Sequence, residues 1–220
     1  MRNAEKKFCT QNSHNWLSAV KFAETRRKFR LVPTNANLYH YAGNNPVCYT
    51  DPDGRKIVPD VITNKNAYKI INNMLKIIKC NNTKSPELTE LKEMITKLEN
   101  CDQVIKISVL PGEGENQTIA DEMGKSEGSG SRIIFYYESR KGGIDDEGNT
   151  DRDPIVGLVH ELGHAEAFAE KNYDTNKGDR TPGTTPSGEK NSLKRENQMR
   201  KVLKIPLRSF YYQKEEVLNK

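Results

Sequence analysis

The chain has 220 residues, of which 34% are hydrophobic, 7% aromatic and 30% charged. That length fits one domain, or a domain with an arm, around a single core of about 130–150 residues, and the lack of any run of about 18 uncharged apolar residues excludes a spanning helix. The net charge of +5 comes entirely from residues 1–60, where ten Lys/Arg face five acids, so the rest of the chain gives no bulk-charge basis for nucleic-acid binding.

Residues 1–36 show no periodicity, only a basic cluster at Arg26–Arg30 before Pro33, and are left as an unassigned basic segment. The first 25 residues contain no apolar run, so no secretory signal is expected. Cys9, Cys48, Cys80 and Cys101 have no C-x-x-C spacing and read as ordinary thiols. Residues 37–55, NLYHYAGNNPVCYTDPDGR, interleave turn formers with aromatics, the pattern of strand, turn and strand again. Asn37, Leu38, Tyr39, Tyr41, Asn44, Asn45, Pro46, Tyr49, Asp51, Pro52 and Gly54 fall in register with the last repeat of RHS/YD-repeat proteins, which the segment resembles. In that family the motif marks the junction between a large β shell and a variable C-terminal toxin domain. The resemblance implies an RHS-core remnant at 37–56 and a toxin domain at 57–220. It also implies a chain made in the bacterial cytoplasm, delivered into target cells as part of a larger RHS system and neutralised at home by an immunity protein.

Beyond the junction the pattern is α+β. Ile70, Ile71, Met74, Leu75, Ile77 and Ile78 predict a helix over 65–79, and Leu88, Leu91, Met94, Ile95 and Leu98 a second over 86–98. Val104–Leu110 alternates as a strand, 111–130 reads as a Gly/Glu-rich loop, and Arg132–Glu138 is the strongest strand signal in the chain. That last strand could align an extended substrate by edge pairing.

Asp153-Pro154 is an N-cap followed by proline at the first helical position, opening PIVGLVHELGHAEAFAEK. This helix carries His160-Glu161-x-x-His164, half of the chain's four histidines. Positions i and i+4 share a face, so both imidazoles can converge on one metal while Glu161 reaches a water beside it. At 100° per residue, Ile155, Leu158, Val159, Leu162, Ala165 and Ala169 form an apolar face with the histidines roughly opposite. Gly163 costs a helix interior up to about 1 kcal/mol relative to alanine, which close approach of another backbone or a ligand would explain.

A catalytic zinc needs a third protein ligand. The metzincin pattern would put Gly at 167 and His at 170, where this chain has Ala167 and Glu170. The downstream candidates are Asp174, Asp179, Glu189 and Glu196. Asp174 and Asp179 lie in a polar loop with Gly178 and Pro182, whereas Glu196 lies in a predicted helix Leu193–Leu203 capped by Ser192, a rigid support that favours it.

Residues 193–212, LKRENQMRKVLKIPLRSFYY, resemble the tail of zinc-metallopeptidase toxin domains attached to RHS and related polymorphic toxins, and of NleD-like effector metallopeptidases. Those families join an H-E-L-x-H-A helix to an E-N-x-x-R helix and a P-x-R-x-x-Y ending. His160, Glu161, Leu162, His164, Ala165, Glu196, Asn197, Arg200, Pro206, Arg208 and Tyr211 match. The resemblance implies a zincin-like fold with Zn2+ on His160, His164 and Glu196, Glu161 as general base, and a protein substrate in a rival or host cell. Tyr211 or Tyr212 would serve as oxyanion donor, and Arg200 and Arg208 would orient carboxylates. Neither nucleic acid nor membrane insertion is expected. The competing expectation is a non-catalytic RHS-associated fragment, or a protein-binding module that retains the fold.

Overall fold

Four short strands form one mixed sheet. They are β1 (Ile57–Pro59), β2 (Ile105–Leu110), β3 (Gln117–Ala120) and β4 (Ser131–Tyr136), in the order β1-β2-β4-β3. β2 lies parallel to both β1 and β4, and β3 runs antiparallel to β4 at the edge. The computed structural model describes residues 56–60, 65–122, 128–171, 174 and 180–212, all within the unit Arg55–Lys220. The basic segment 1–36, the repeat-like motif at 37–55 and Asp179 lie outside the described residues.

Register decides which side chains form the core. Ile107 pairs with Ile133 and Val109 with Phe135, so these apolar residues share one face and are almost fully buried. Four helices pack there: α1 (Lys65–Cys80), α2 (Pro86–Asn100), α3 (Pro154–Ala169) and α4 (Lys190–Leu203). Ile71, Ile78, Leu91, Ile95, Leu158, Leu162 and Met199 join the strand residues in a single cluster. Each side chain of that size contributes about 1.5–3 kcal/mol on burial. The fold is therefore α+β, with four helices and a small mixed sheet among the described residues. None of these helices is long and apolar enough to cross a membrane.

The predicted starts of α2 and α3 hold. Ser85 accepts from the Leu88 amide at 3.1 Å, with Pro86 at the first helical position. Asp153 accepts from the Ile155 amide at 2.9 Å, with Pro154 following it. Three expectations change. The strand predicted at Arg132–Glu138 is β4, paired on both sides, so it cannot receive a substrate edge-on; the sheet edge is β3, inside the predicted loop. Helix α3 is buried nearly all round instead of along one stripe, because α4 packs over its histidine-bearing side. Ser192 does not cap α4. Its hydroxyl bonds back to the Glu189 carbonyl at 3.0 Å, and a 3₁₀ turn at Ser187–Glu189 leads into a helix that already begins at Lys190.

Candidate metal centre

Two contacts between α3 and α4 set the site. A Cβ on Gly163 would lie 2.7 Å from the Ser192 Cα, so the absence of a side chain lets the α4 backbone close onto α3. Three residues further along α3, buried Glu166 receives Arg195 Nε at 2.8 Å and Nη2 at 2.6 Å, a bidentate fork from α4. Asn191 Nδ2 adds bonds to the Gly163 carbonyl at 2.7 Å and to Glu166 at 2.9 Å. The N-terminal end of α4 is thereby tied to the turn of α3 that carries the histidines.

His160 and His164 stand on that turn with ring centroids 5.1 Å apart and planes inclined at 75°. Glu189, the last residue of the 3₁₀ turn, brings Oε2 to 3.1 Å from His164 Nε2 and 3.5 Å from His160 Nε2. One donor atom from each of the three residues lies within 4.8 Å of the others. Ligands at about 2.0–2.1 Å in tetrahedral geometry stand about 3.3 Å from one another, a spacing that the two Glu189 contacts match. Two imidazoles and a carboxylate are also a donor set that zinc accepts.

Glu196, favoured from the sequence as the third ligand, stands elsewhere. It is fully buried behind His160, its Oε2 2.9 Å from Nδ1. Its other oxygen accepts from Arg200 Nε at 2.9 Å, and Arg152 Nη1 and Arg208 Nη1 lie 3.5 Å and 3.7 Å from Oε2. The physical reason is spacing. Residues 189 and 196 are seven apart, about 10 Å along a helical rise, so they reach opposite sides of the same ring. Arg200 does hold this carboxylate, as its place one turn after Glu196 predicted. Asp174 is exposed and its carboxylate accepts from the Ser187 hydroxyl, outside the donor cluster.

Glu161 is buried, and the Thr118 hydroxyl on edge strand β3 donates to its Oε2 at 2.7 Å. The Tyr211 ring stacks on His160, with centroids 6.2 Å apart and planes 26° from parallel. Tyr212 meets Tyr211 edge-on, its amide donating to the Thr184 carbonyl and its carbonyl accepting from the Gly183 amide, and it is Tyr211 that stacks on the histidine. The Arg208 guanidinium lies 4.7 Å from the Tyr211 ring centroid.

The electrostatics favour a cation. Burial pulls the His160 imidazole down, but hydrogen bonds with Glu189 and Glu196, together with the charges of Glu196 and Glu161, outweigh it and hold its pKa at about 9. Burial pushes both carboxylates up, yet their bonds to the histidines hold Glu189 and Glu196 well below the ordinary carboxylate range. Burial and the Glu189 charge raise the Tyr211 phenol. A pocket that stabilises positive charge on a buried ring also stabilises a divalent ion among the same groups.

Sequence reading identified both histidines, Glu161, Arg200, Arg208 and Tyr211. It did not single out Glu189, for which the seven-residue offset from Glu196 was the available signal. It missed Thr118 and Arg152, whose roles arise only from long-range packing. No family model, curated protein or solved structure matches this chain.

Proposed function

We propose that this protein is a zinc-dependent endopeptidase of zincin-like fold, acting as an RHS-associated toxin or effector. The observation that carries the enzymatic reading is the convergence of His160 Nε2, His164 Nε2 and the Glu189 carboxylate, with Glu161 next to them in sequence and buried. These three residues would hold the ion, with Glu189 in the role the sequence reading gave to Glu196. Zinc supplies Lewis acidity, which acidifies water and polarises a peptide carbonyl.

The chain's own residues do the rest. Glu196 accepts the Nδ1 proton of His160 and so fixes the tautomer that offers Nε2 as ligand. Arg200 and Arg152 keep Glu196 ionised in its buried position. Glu161 takes the proton of the attacking water and returns it to the leaving amine; the Thr118 hydroxyl holds one of its oxygens and orients the carboxylate. Tyr211, stacked on His160 and in contact with the Arg208 guanidinium, donates to the oxyanion of the tetrahedral intermediate.

The toxin assignment rests on the likeness of residues 37–55 to the RHS junction and of roughly 150–212 to toxin metallopeptidases. It makes the substrate a protein of a rival or host cell and implies an immunity partner. Elemental analysis and casein cleavage by the full chain test the enzymatic reading. Equimolar zinc, with cleavage abolished by chelation and by Glu161→Gln, is expected. A zinc-free, inactive protein would favour the non-catalytic module instead.

A further inference from the structure

Four groups, from α3, the β4–α3 loop and the C-terminal tail, lie close together beside the candidate site. The Tyr211 ring stacks on the His160 imidazole. The guanidinium of Arg208, itself buried, lies 4.7 Å from the centroid of that phenol ring and donates through Nη2 to the Tyr211 carbonyl. The backbone of Gly143, in the loop between β4 and α3, lies against this guanidinium. A Cβ built there would fall inside the Arg208 guanidinium, overlapping Cζ and Nη2. Gly142 does the same for the neighbouring cation, because its Cβ would lie 2.5 Å from Arg152 Cδ and 2.8 Å from Nε. The loop is anchored and cannot simply swing aside. The Gly142 amide bonds to the Thr150 carbonyl at 3.0 Å and the Asp146 amide to the Leu207 carbonyl at 2.8 Å, the latter directly beside Arg208.

We infer that Gly143 is a positioning residue for the proposed reaction: by admitting the Arg208 guanidinium flat against the loop backbone, it sets the place of the Tyr211 phenol over His160. This rests on the peptidase reading for its kinetic consequence, but the stack itself is independent of catalysis. Any side chain at 143 would displace the Arg208 guanidinium, which contacts the Tyr211 ring and carbonyl.

The test uses the full chain loaded with zinc alone. Gly143→Ala is expected to lower kcat on casein at least tenfold with KM within twofold, while zinc affinity, read by competition with a chromophoric chelator, stays within threefold. In a Tyr211→Phe background the same substitution should cost less than twofold, because the group it displaces is gone. A tenfold loss that persists in that background overturns the inference. Histidine-selective NMR gives a readout that needs no activity: Tyr211→Leu should move the His160 ring resonance, and Gly143→Ala should move it too. An unmoved resonance in Gly143→Ala contradicts the stack, whereas a moved resonance in a protein with no hydrolysis would sink the peptidase reading alone. Should Gly143→Ala fail to fold, Arg208→Lys, which keeps the charge and removes the plane, is expected to show the same loss of kcat, again cancelled by Tyr211→Phe. Full activity of Arg208→Lys would overturn the inference.

Discussion

Glu196 addresses His160 from behind, its Oε2 2.9 Å from Nδ1. The opposite nitrogen, Nε2, is left to face Glu189 at 3.5 Å. One imidazole is thus held between two carboxylates with different tasks, one orienting the ring and one sharing its outward side. This division separates the effects of the two acids.

Replacing Glu189 by Ala removes a donor from the cluster and should weaken zinc binding by more than about 100-fold, the upper end for an outer-shell change. Glu196→Gln keeps the shape and loses only the charge behind the ring, so its cost should be about 10–100-fold. Chelator competition on the two variants checks the order. The reverse order would reinstate Glu196 as the ligand.

The raised His160 pKa gives a pH signature. A group held at about 9 in the fold against an ordinary 6.5 stabilises the chelated protein fully below pH 6.5 and loses that contribution as pH rises through about 9. Glu189 and Glu196, held low, contribute above their ordinary carboxylate value of 4.5 and lose it as pH falls. Zinc requires His160 neutral and must displace its proton. The difference in Tm between zinc-loaded and chelated protein should therefore widen from pH 6.5 to 9. Thermal melts at both pH values would show a constant difference if the proton and the ion do not compete.

The Arg195–Glu166 fork fastens α4 to α3 with both side chains largely buried. Arg195→Ala would leave the Glu166 charge without its main partner, a loss of about 3 kcal/mol for a broken buried pair. Urea denaturation measures it, and a loss below about 1 kcal/mol, the level of an exposed pair, would mean the fork is not a tether.

Gly163→Ala separates propensity from packing. On a solvated helix it would stabilise by up to about 1 kcal/mol. Here the added Cβ meets the Ser192 Cα at 2.7 Å, and backbone on backbone cannot yield cheaply. The expected outcome is a net loss of about 1–3 kcal/mol, seen as a lower urea midpoint, with weaker zinc binding because Glu189 lies just ahead of Ser192.

What could be read from the sequence was local. The start of α3 is written in Asp153-Pro154, α2 follows from its apolar spacing, and the histidine pair follows from helical spacing alone. Strand β3 was hidden because Gln117–Ala120 is short and owes its pairing to β4, and Thr118 gains its role only when that pairing brings it over Glu161. Glu189 was passed over because the start of α4 was read at Ser192, whose hydroxyl in fact turns back toward Glu189. The gathering of Arg152, Arg200 and Arg208 around Glu196 joins a loop, a helix and a tail, and no window on the chain contains it.

The central claim is one cation held by His160, His164 and Glu189. Anomalous diffraction at the zinc absorption edge, from crystals of the zinc-soaked full chain, addresses it most directly. The account predicts a single strong peak about 2.0–2.2 Å from both Nε2 atoms and from a Glu189 oxygen, with Glu196 still bonded to Nδ1. A peak at other residues, or none between the two histidines, would contradict it.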